Sequence, residues 1–443
     1  MKNWVRAMTR DENNMLTGVS PGTPLHRPLS RFWYPVLRSA KLKDRHTHRV
    51  RLLGENFVVA RRGDEVLAVD ELCPHRLTSM ALARVEDGGL RCIYHGWLLG
   101  CDGTVKETPN ERETGGRPKL RLRAPGVREA AGLIWLNIAE ASERAPFPDW
   151  PWLAMSDTHR VIMDVAQTAN WIQTIEGALD STHTTTLHQD NVQVTPVANS
   201  TVVSDKGVAV TLGRPSSDKF ATMQVRETES GFVYGALRRS LDQDVNYVRA
   251  TAFAFPGYVA FTVAEPWRAQ LIMVPVDETH AHFYTIWYSV AGPMDHAARA
   301  AWSGLTPDAL DDNGYLKICE LPNWGQDREA MISGKSFCGL NGINVQDSIV
   351  QESMGAIADR TLEHLGPADV GIVHFRRFML SVARGEAAAA QPAFAVNMRY
   401  NLRSRDGLVP ANQDWTAMFP EGEVNWSSKS VKGAQPVEIE AAE

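Results

Sequence analysis

The sequence predicts an α+β chain of two unequal parts, and three features predict it. Residues 41–145 hold short β-like pieces punctuated by turns. The segment Ala145-Pro-Phe-Pro-Asp-Trp-Pro-Trp152 then places three prolines in eight residues, which no helix interior or central strand tolerates. Beyond it, residues 150–426 combine strand-like alternation, expected as an antiparallel sheet, with runs of helical period. A leader to about residue 40 and a polar, Ala/Glu-rich tail over 427–443 complete the expected organisation.

In the first part, Asn56–Arg61, Glu65–Val69, Leu90–Tyr94 and Gly132–Asn137 read as strands. Arg62-Gly63-Asp64, Asp87-Gly88-Gly89 and Asp102-Gly103 supply the turns. In the second part, Thr201–Leu212, Gly231–Leu237, Arg249–Phe261 and Ala281–Val290 read as strands. Asn344–Leu365 and Val370–Ala383 read as helices. Ile372, Phe375, Met379 and Val382 share a face of the latter, with Asp369 as its N-cap.

Composition narrows the function classes. The chain has 443 residues, 44% hydrophobic and 22% charged, with a net charge of −6. That balance suits a globular protein and offers no basic domain for nucleic acid. No run approaches the roughly 18 apolar residues of a membrane span. The first 22 residues carry Lys2, Arg6, Arg10, Asp11 and Glu12 and lack the apolar core of a signal peptide, so the expected location is cytoplasmic. Five cysteines, an odd number, argue against a disulfide framework. Cys101, Cys319 and Cys338 are expected to be buried small apolar residues; Cys73 and Cys92 have closely spaced histidine neighbours.

Those neighbours form the most specific signal in the chain, Cys73-Pro-His75 followed by Cys92-Ile-Tyr-His95-Gly-Trp97. Each half can place a thiolate and an imidazole on one tight loop. Two cysteines and two histidines are the ligands of a Rieske [2Fe–2S] cluster, in which histidines replace two cysteines on one iron and raise its potential. A structural zinc site uses the same set, but its usual spacing pairs Cys with Cys and His with His. Two unrelated Cys–His neighbours would not be expected to recur beside turn residues.

A second constellation is Asp180-Ser-Thr-His183-Thr-Thr-Thr-Leu-His188. Asp180 and His183 are spaced as neighbours on a helix face. His183 and His188 would stand about 140° apart on an ideal helix. They can share a metal only if the helix ends or distorts, and the β-branched Thr182, Thr184, Thr185 and Thr186 weaken helix there. Two histidines and a carboxylate with open positions opposite are the site of non-haem Fe(II) oxygenases. The other nine histidines lack such company and are expected to be polar or core side chains.

Cys73-Pro-His-Arg76 and Cys92-Ile-Tyr-His-Gly-Trp97 resemble the cluster loops of Rieske non-haem iron aromatic-ring oxygenases. Asp180-x-x-His183-x₄-His188 is similar to that family's iron motif. Respiratory Rieske proteins carry an additional cysteine in each loop, which this sequence lacks. The resemblance, strongest to the phthalate 4,5-dioxygenase-like branch, runs from about Met15 to Leu380. It implies a Rieske β-domain followed by a helix-grip catalytic domain. It implies that Asp180 bridges the iron site to the Rieske histidine of a neighbouring subunit, and that Asp347, in Asn344-Val-Gln-Asp347, is the third iron ligand. Glu352 and Asp359 are the fallbacks, read otherwise as solvated helix charges or, for Asp359, a partner of Arg360. Glu176 stands where many members have asparagine. The resemblance further implies one Rieske cluster and one mononuclear Fe(II) per chain, O₂ as co-substrate and a small aromatic substrate. The partners it implies are an NAD(P)H-dependent reductase, with or without a ferredoxin, and a homo-oligomeric ring, a trimer or stacked trimers. No Gly-x-Gly-x-x-Gly fingerprint marks a reductase within this chain.

The competing class is a Rieske electron carrier or redox sensor with a non-catalytic ligand-binding domain. It would not need the His-His-Asp set. For the substrate, Arg249 is read as opening an otherwise apolar strand, from which a guanidinium could grip a carboxylate in bidentate fashion. The plainer expectation for Arg249 is a strand-end charge paired with Asp242 or Asp244. Arg214, Arg238 and Arg239 are further candidates.

Overall fold

In the computed structural model, the residues described are 6–112, 119–194, 212–214, 216–241, 244–262 and 267–427. The chain divides into two compact units. One comprises Gly18–Ala154 with Ala388–Met398; the other comprises the residues up to Thr17, Met155–Ala387 and the chain from Arg399. The division thus falls inside the 1–40 leader. Its first helix joins the larger unit, where Asn13 Nδ2 donates to Ala358 O at 3.3 Å. The smaller unit also takes in residues 388–398, through contacts such as Phe394 against Phe32.

Among the described residues, ten strands build the smaller unit: β1 (Tyr34–Arg38), β2 (Thr47–Leu52), β3 (Glu55–Arg62), β4 (Glu65–Asp70), β5 (Arg84–Glu86), β6 (Gly89–Arg91), β7 (Leu98–Leu99), β8 (Val105–Glu107), β9 (Gly126–Ala130) and β10 (Leu133–Asn137). They form three antiparallel sheets, ordered β1-β10-β9, β2-β3-β4 and β5-β6-β7-β8. The strand expected over Leu90–Tyr94 ends at Arg91, because the backbone of Cys92 is committed to a loop: its N–H donates to Trp97 O and its carbonyl accepts from Gly96 N.

The larger unit is organised by one sheet. Its strands are β11 (Arg160–Gln167), β14 (Thr222–Glu227), β15 (Gly231–Arg239), β16 (Val245–Ala254), β17 (Tyr258–Thr262), β18 (Trp267–Pro275), β19 (Ala281–Ser289) and β20 (Arg405–Pro410); β12 (Val192–Val194) and β13 (Leu212–Arg214) pair separately. The order is β11-β19-β18-β17-β16-β15-β14, with β20 beside β16. The expected strand Thr201–Leu212 lies outside the described residues except for Leu212. Arg249–Phe261 is two strands, not one, since Pro256 lacks the N–H a ladder needs.

The helices in chain order are α1 (Arg10–Thr17), α2 (His26–Ser30), α3 (Trp171–Leu179), α4 (His296–Ser303), α5 (Arg328–Ile332), α6 (Ile343–Ser353), α7 (Val370–Ala383) and α8 (Pro392–Val396). The helix expected over Asn344–Leu365 stops at Ser353, where Gly355 adopts a φ of 88°, the left-handed conformation that ends helices. Helix α7 has the expected span, but Asp369 does not cap it. Its carboxylate accepts from Gly366 N at 2.7 Å and closes the preceding turn instead. Paired residues on neighbouring antiparallel strands point to one face. Phe253 packs on Phe375 of α7 at 5.2 Å, and Thr285 accepts from Asn344 of α6 at 3.0 Å, so the face that carries both looks onto the helices.

Candidate metal centres and active site

Two loops of matching backbone design bring the four Rieske-type residues together. One joins β4 to β5 and the other joins β6 to β7. In each, the cysteine N–H donates to the carbonyl five residues on, Cys73 to Thr78 and Cys92 to Trp97. In each, the cysteine carbonyl accepts from the N–H four residues on, that of Leu77 and of Gly96. The turning residues have positive φ, 59° at Leu77 and 75° at Gly96. Glycine takes that conformation freely; leucine pays about 1 kcal/mol or more. Cys73 and Cys92 are buried, and the His75 and His95 rings lie 4.4 Å apart with His75 stacked on Trp97 at 4.6 Å. Burial pushes the Cys73 thiol up, so a bound cation would have to displace its proton. Desolvation and the neighbouring His75 and Arg76 hold His95 below its usual range, keeping it neutral as a metal ligand must be. All five cysteines are free; Cys338 is buried, whereas Cys101 and Cys319 are only half-buried, contrary to expectation.

The second site forms where α3 meets α6. Helix α3 starts at an Asn170 cap and ends at Leu179, so Asp180 and His183 do not share a helix as their spacing suggested. His183 instead opens a short 3₁₀ turn, His183–Thr185, and this change of path brings His188 back to it. His183 Nε2 lies 3.1 Å from His188 Nε2. Asp347 Oδ1, from the second turn of α6, lies 3.0 Å from His188 Nε2 and 3.5 Å from His183 Nε2. The three ligating atoms fall within 4.8 Å of one another, a cradle sized for one cation. Burial opposes a charge on His183, but Asp180 and Asp347 override it and lift its pKa to about 10; burial likewise opposes ionisation of Asp347, and the two imidazoles pull it well below the carboxylate range. Such mutual attraction of two imidazoles and a carboxylate is what a divalent cation would replace.

Asp180 stands just outside this trio. Its Oδ2 is 3.5 Å from His183 Nδ1, and its Oδ1 accepts from Thr182 N and Thr182 Oγ1, each at 2.6 Å. Against the cost of burial, these partners hold its pKa at about 2. The fallback carboxylates are elsewhere. Glu352 accepts from Thr168 N at 3.0 Å, and Asp359 pairs with Arg10 at 3.4 Å instead of Arg360. Arg360 is fully buried and pairs with Glu176 at 2.9 Å; Arg376 reaches the other oxygen of Glu176 at 2.6 Å. The acid at position 176 is thus explained by two arginines. Sequence reading passed over Gln346, whose Oε1 lies 2.6 Å from His188 Nδ1; its place beside Asp347 was the one available signal.

Arg249 does not open its strand: β16 begins at Val245. By alternation it shares the helix-facing side with Thr251 and Phe253. Its guanidinium lies 5.0 Å over Phe261, and its Nε is buried with no hydrogen-bond partner. No ion pair joins it to any described residue. Asp242 lies outside these, Asp244 does not reach it, and Asp406, opposite on β20, accepts from Tyr247 Oη at 3.2 Å. Arg238 donates to Ser181 O at 2.9 Å, Arg239 is exposed and 3.9 Å from Asp218, and the side chain of Arg214 is outside the described residues.

A Rieske-type pair of loops and a His-His-Asp cradle under an antiparallel sheet define a class, and comparison with known proteins agrees. Residues 32–124 match the Rieske [2Fe-2S] domain, and residues 136–437 match the family described as LigXa C-terminal domain like. The chain belongs to the Rieske non-haem iron oxygenases, as an oxygenase component carrying a [2Fe–2S] cluster and a mononuclear iron and using O₂. It is 33% identical over 422 residues to the phthalate 4,5-dioxygenase oxygenase subunit of Pseudomonas putida, covering 92% of this chain and 94% of that one. It is 29% identical to the 3-chlorobenzoate-3,4-dioxygenase oxygenase subunit of Comamonas testosteroni, covering 94% and 98%. In fold it resembles the terminal oxygenase of carbazole 1,9a-dioxygenase from Nocardioides aromaticivorans IC177, with a TM-score of 0.54 at 19% identity over 85% of this chain and 98% of that one.

Proposed function

We propose that this oxygenase hydroxylates an aromatic acid or aryl ether, by di- or monohydroxylation or O-demethylation, using electrons drawn from NAD(P)H through a separate reductase. The observation that carries the reading is the convergence of His183, His188 and Asp347 within 4.8 Å, in one chain with the paired Cys–His loops. The relatives' names, a phthalate 4,5-dioxygenase, a 3-chlorobenzoate-3,4-dioxygenase and a 5,5'-dehydrodivanillate O-demethylase, support the substrate class.

Cys73, His75, Cys92 and His95 would hold the cluster; His183, His188 and Asp347 would hold the iron. When bound, these centres supply single-electron transfer and dioxygen activation. The chain does the rest. Burial of His188 keeps bulk water from its side of the cradle. Asp180, ionised near neutral pH, faces His183 Nδ1 at 3.5 Å, which favours the proton on that nitrogen, and would offer an anionic path toward the Rieske histidine of a neighbouring copy. Such a path implies a closed ring of copies, a trimer or stacked trimers, made by a head-to-tail contact. Arg249, which has no ion-pair partner among the described residues, would receive the substrate carboxylate on the helix-facing side of the sheet. Residues 41–145 would form the Rieske domain and 150–426 the catalytic domain, in a cytoplasmic setting consistent with five free cysteines.

The test is product analysis of the purified protein with a surrogate reductase and a panel of aromatic acids and ethers, together with iron content. The reading expects about three irons per chain and hydroxylated or demethylated product; a carrier would hold about two. Two irons with no product would overturn it.

A further inference from the structure

The two histidines of the cradle are held differently at their outer nitrogens. His183 Nδ1 faces the Asp180 carboxylate at 3.5 Å, whereas His188 Nδ1 faces the Gln346 side-chain oxygen at 2.6 Å. The orientation of that amide is settled by its surroundings. Gln346 Nε2 lies 2.8 Å from Leu340 O and 3.5 Å from Asn191 Oδ1. A backbone carbonyl can only accept, so the NH₂ must face it and Oε1 must face the imidazole. An amide oxygen in turn can only accept, so the proton of neutral His188 resides on Nδ1. Its Nε2, the atom 3.0 Å from Asp347 and 3.1 Å from His183, is left with a free lone pair. Both side chains are 1% exposed, so water does not compete for these bonds.

We propose that Gln346 is a positioning residue for the iron site: it fixes the tautomer and ring plane of His188 so that Nε2 points at the cation. The proposal rests on the reading of His183, His188 and Asp347 as a metal cradle. A neutral partner serves here because Asp180 and Asp347 already supply two negative charges, matching a divalent ion. The competing role for the same side chain is purely structural, tying Leu340 to α6 through Nε2.

Two substitutions separate the roles. Gln346→Leu removes acceptor and donor; Gln346→Glu keeps an acceptor for Nδ1–H but cannot, as a carboxylate, donate to Leu340 O. The protein, with its Rieske cluster intact by visible absorption, is depleted of mononuclear iron and titrated with Co(II), whose d–d bands report ligation without turnover. Outer partners of metal-bound histidines are commonly worth about 10- to 100-fold in affinity. Gln346→Leu should lose about that much while the Rieske spectrum and melting temperature stay in place, and Gln346→Glu should bind close to wild type. Wild-type affinity in Gln346→Leu would overturn the proposal. So would equal weakening in both variants, which would assign the side chain to the loop alone. If the wild-type protein with an intact cluster took up no second metal, the cradle reading itself would fall, and the proposal with it.

Discussion

Asp180 shows how much depends on which atom of a residue is occupied. Its Oδ1 is taken by Thr182, leaving Oδ2 for His183. Replacing Asp180 with Asn should leave iron and cluster contents unchanged, since the residue is outside the trio. Turnover should fall by at least about 100-fold, the upper end of what outer-sphere partners contribute. Metal analysis beside steady-state rates checks this, and near-wild-type turnover with full metal content would remove the bridging role. Arg249 poses the matching question for substrate. A lost charge-assisted hydrogen bond costs roughly 1.5–3 kcal/mol, so Arg249→Met should reduce kcat/KM for an aromatic acid by about ten- to a hundred-fold. The neutral amide of the same compound should be spared. Equal losses on acid and amide, or none on the acid, would leave the carboxylate without this anchor.

At the scale of elements, α3 is held by charge as well as by apolar packing. Glu176, one turn before Asp180, is enclosed by Arg360 and Arg376; burial opposes its ionisation, but the two guanidiniums draw its pKa from 4.5 to about 2. A fall of that size corresponds to about 3 kcal/mol of folding stability at neutral pH. Because the folded-state value is the lower one, this stability is complete above about pH 4.5 and is lost as pH falls toward 2. Glu176→Gln should therefore be less stable by about 3 kcal/mol at pH 7 in denaturant titrations. The difference from wild type should shrink on acidification below pH 4.5, and a pH-independent difference would mean that packing, not charge, is what the substitution removes. The cluster loops are a second element-scale device, since their shared pattern of backbone hydrogen bonds shapes both arms alike. His75→Cys or Cys92→Ser should abolish the Rieske EPR and absorption signature while Co(II) binding at the His183 cradle persists. An unchanged Rieske spectrum in either variant would rule out that residue as a cluster ligand.

At the scale of the whole molecule, a ring of copies predicts complementation. A Cys92→Ser chain lacks the cluster and a His183→Ala chain lacks the iron site, so each alone should be inactive. Co-expressed, mixed rings would place an intact cluster beside an intact iron site on adjacent copies, and part of the activity should return. No recovery in oligomers shown to be mixed would place electron transfer within one chain.

The sequence by itself determined the chemistry wherever ligands sit close together along the chain. Cys73-x-His75 and Cys92-x-x-His95 are legible because a tight loop brings both side chains to one point whatever the remaining fold. His183 and His188 are legible because Asp180, their close spacing and the paired Cys–His loops occur together in one chain. Helix α7 was readable from its apolar period, and β3, β4, β10 and β19 from short runs bounded by turns. Tertiary structure decided what lies beyond local reach. Gln346 meets His188 across 158 residues of chain, and Glu176 meets Arg360 across 184. Nothing in local periodicity marks such pairs. Among Asp347, Glu352 and Asp359, only the packing of α6 against α3 brings Asp347 to the imidazoles and sends the others to Thr168 and Arg10. Two helix ends turned on local detail instead: Gly355 ends α6 with a positive φ, and Asp369 spends its carboxylate on Gly366, three residues away. Side-chain spacing along the chain sets which chemistry is possible, whereas partners far apart in sequence are chosen by how the sheet and helices bury one another's faces.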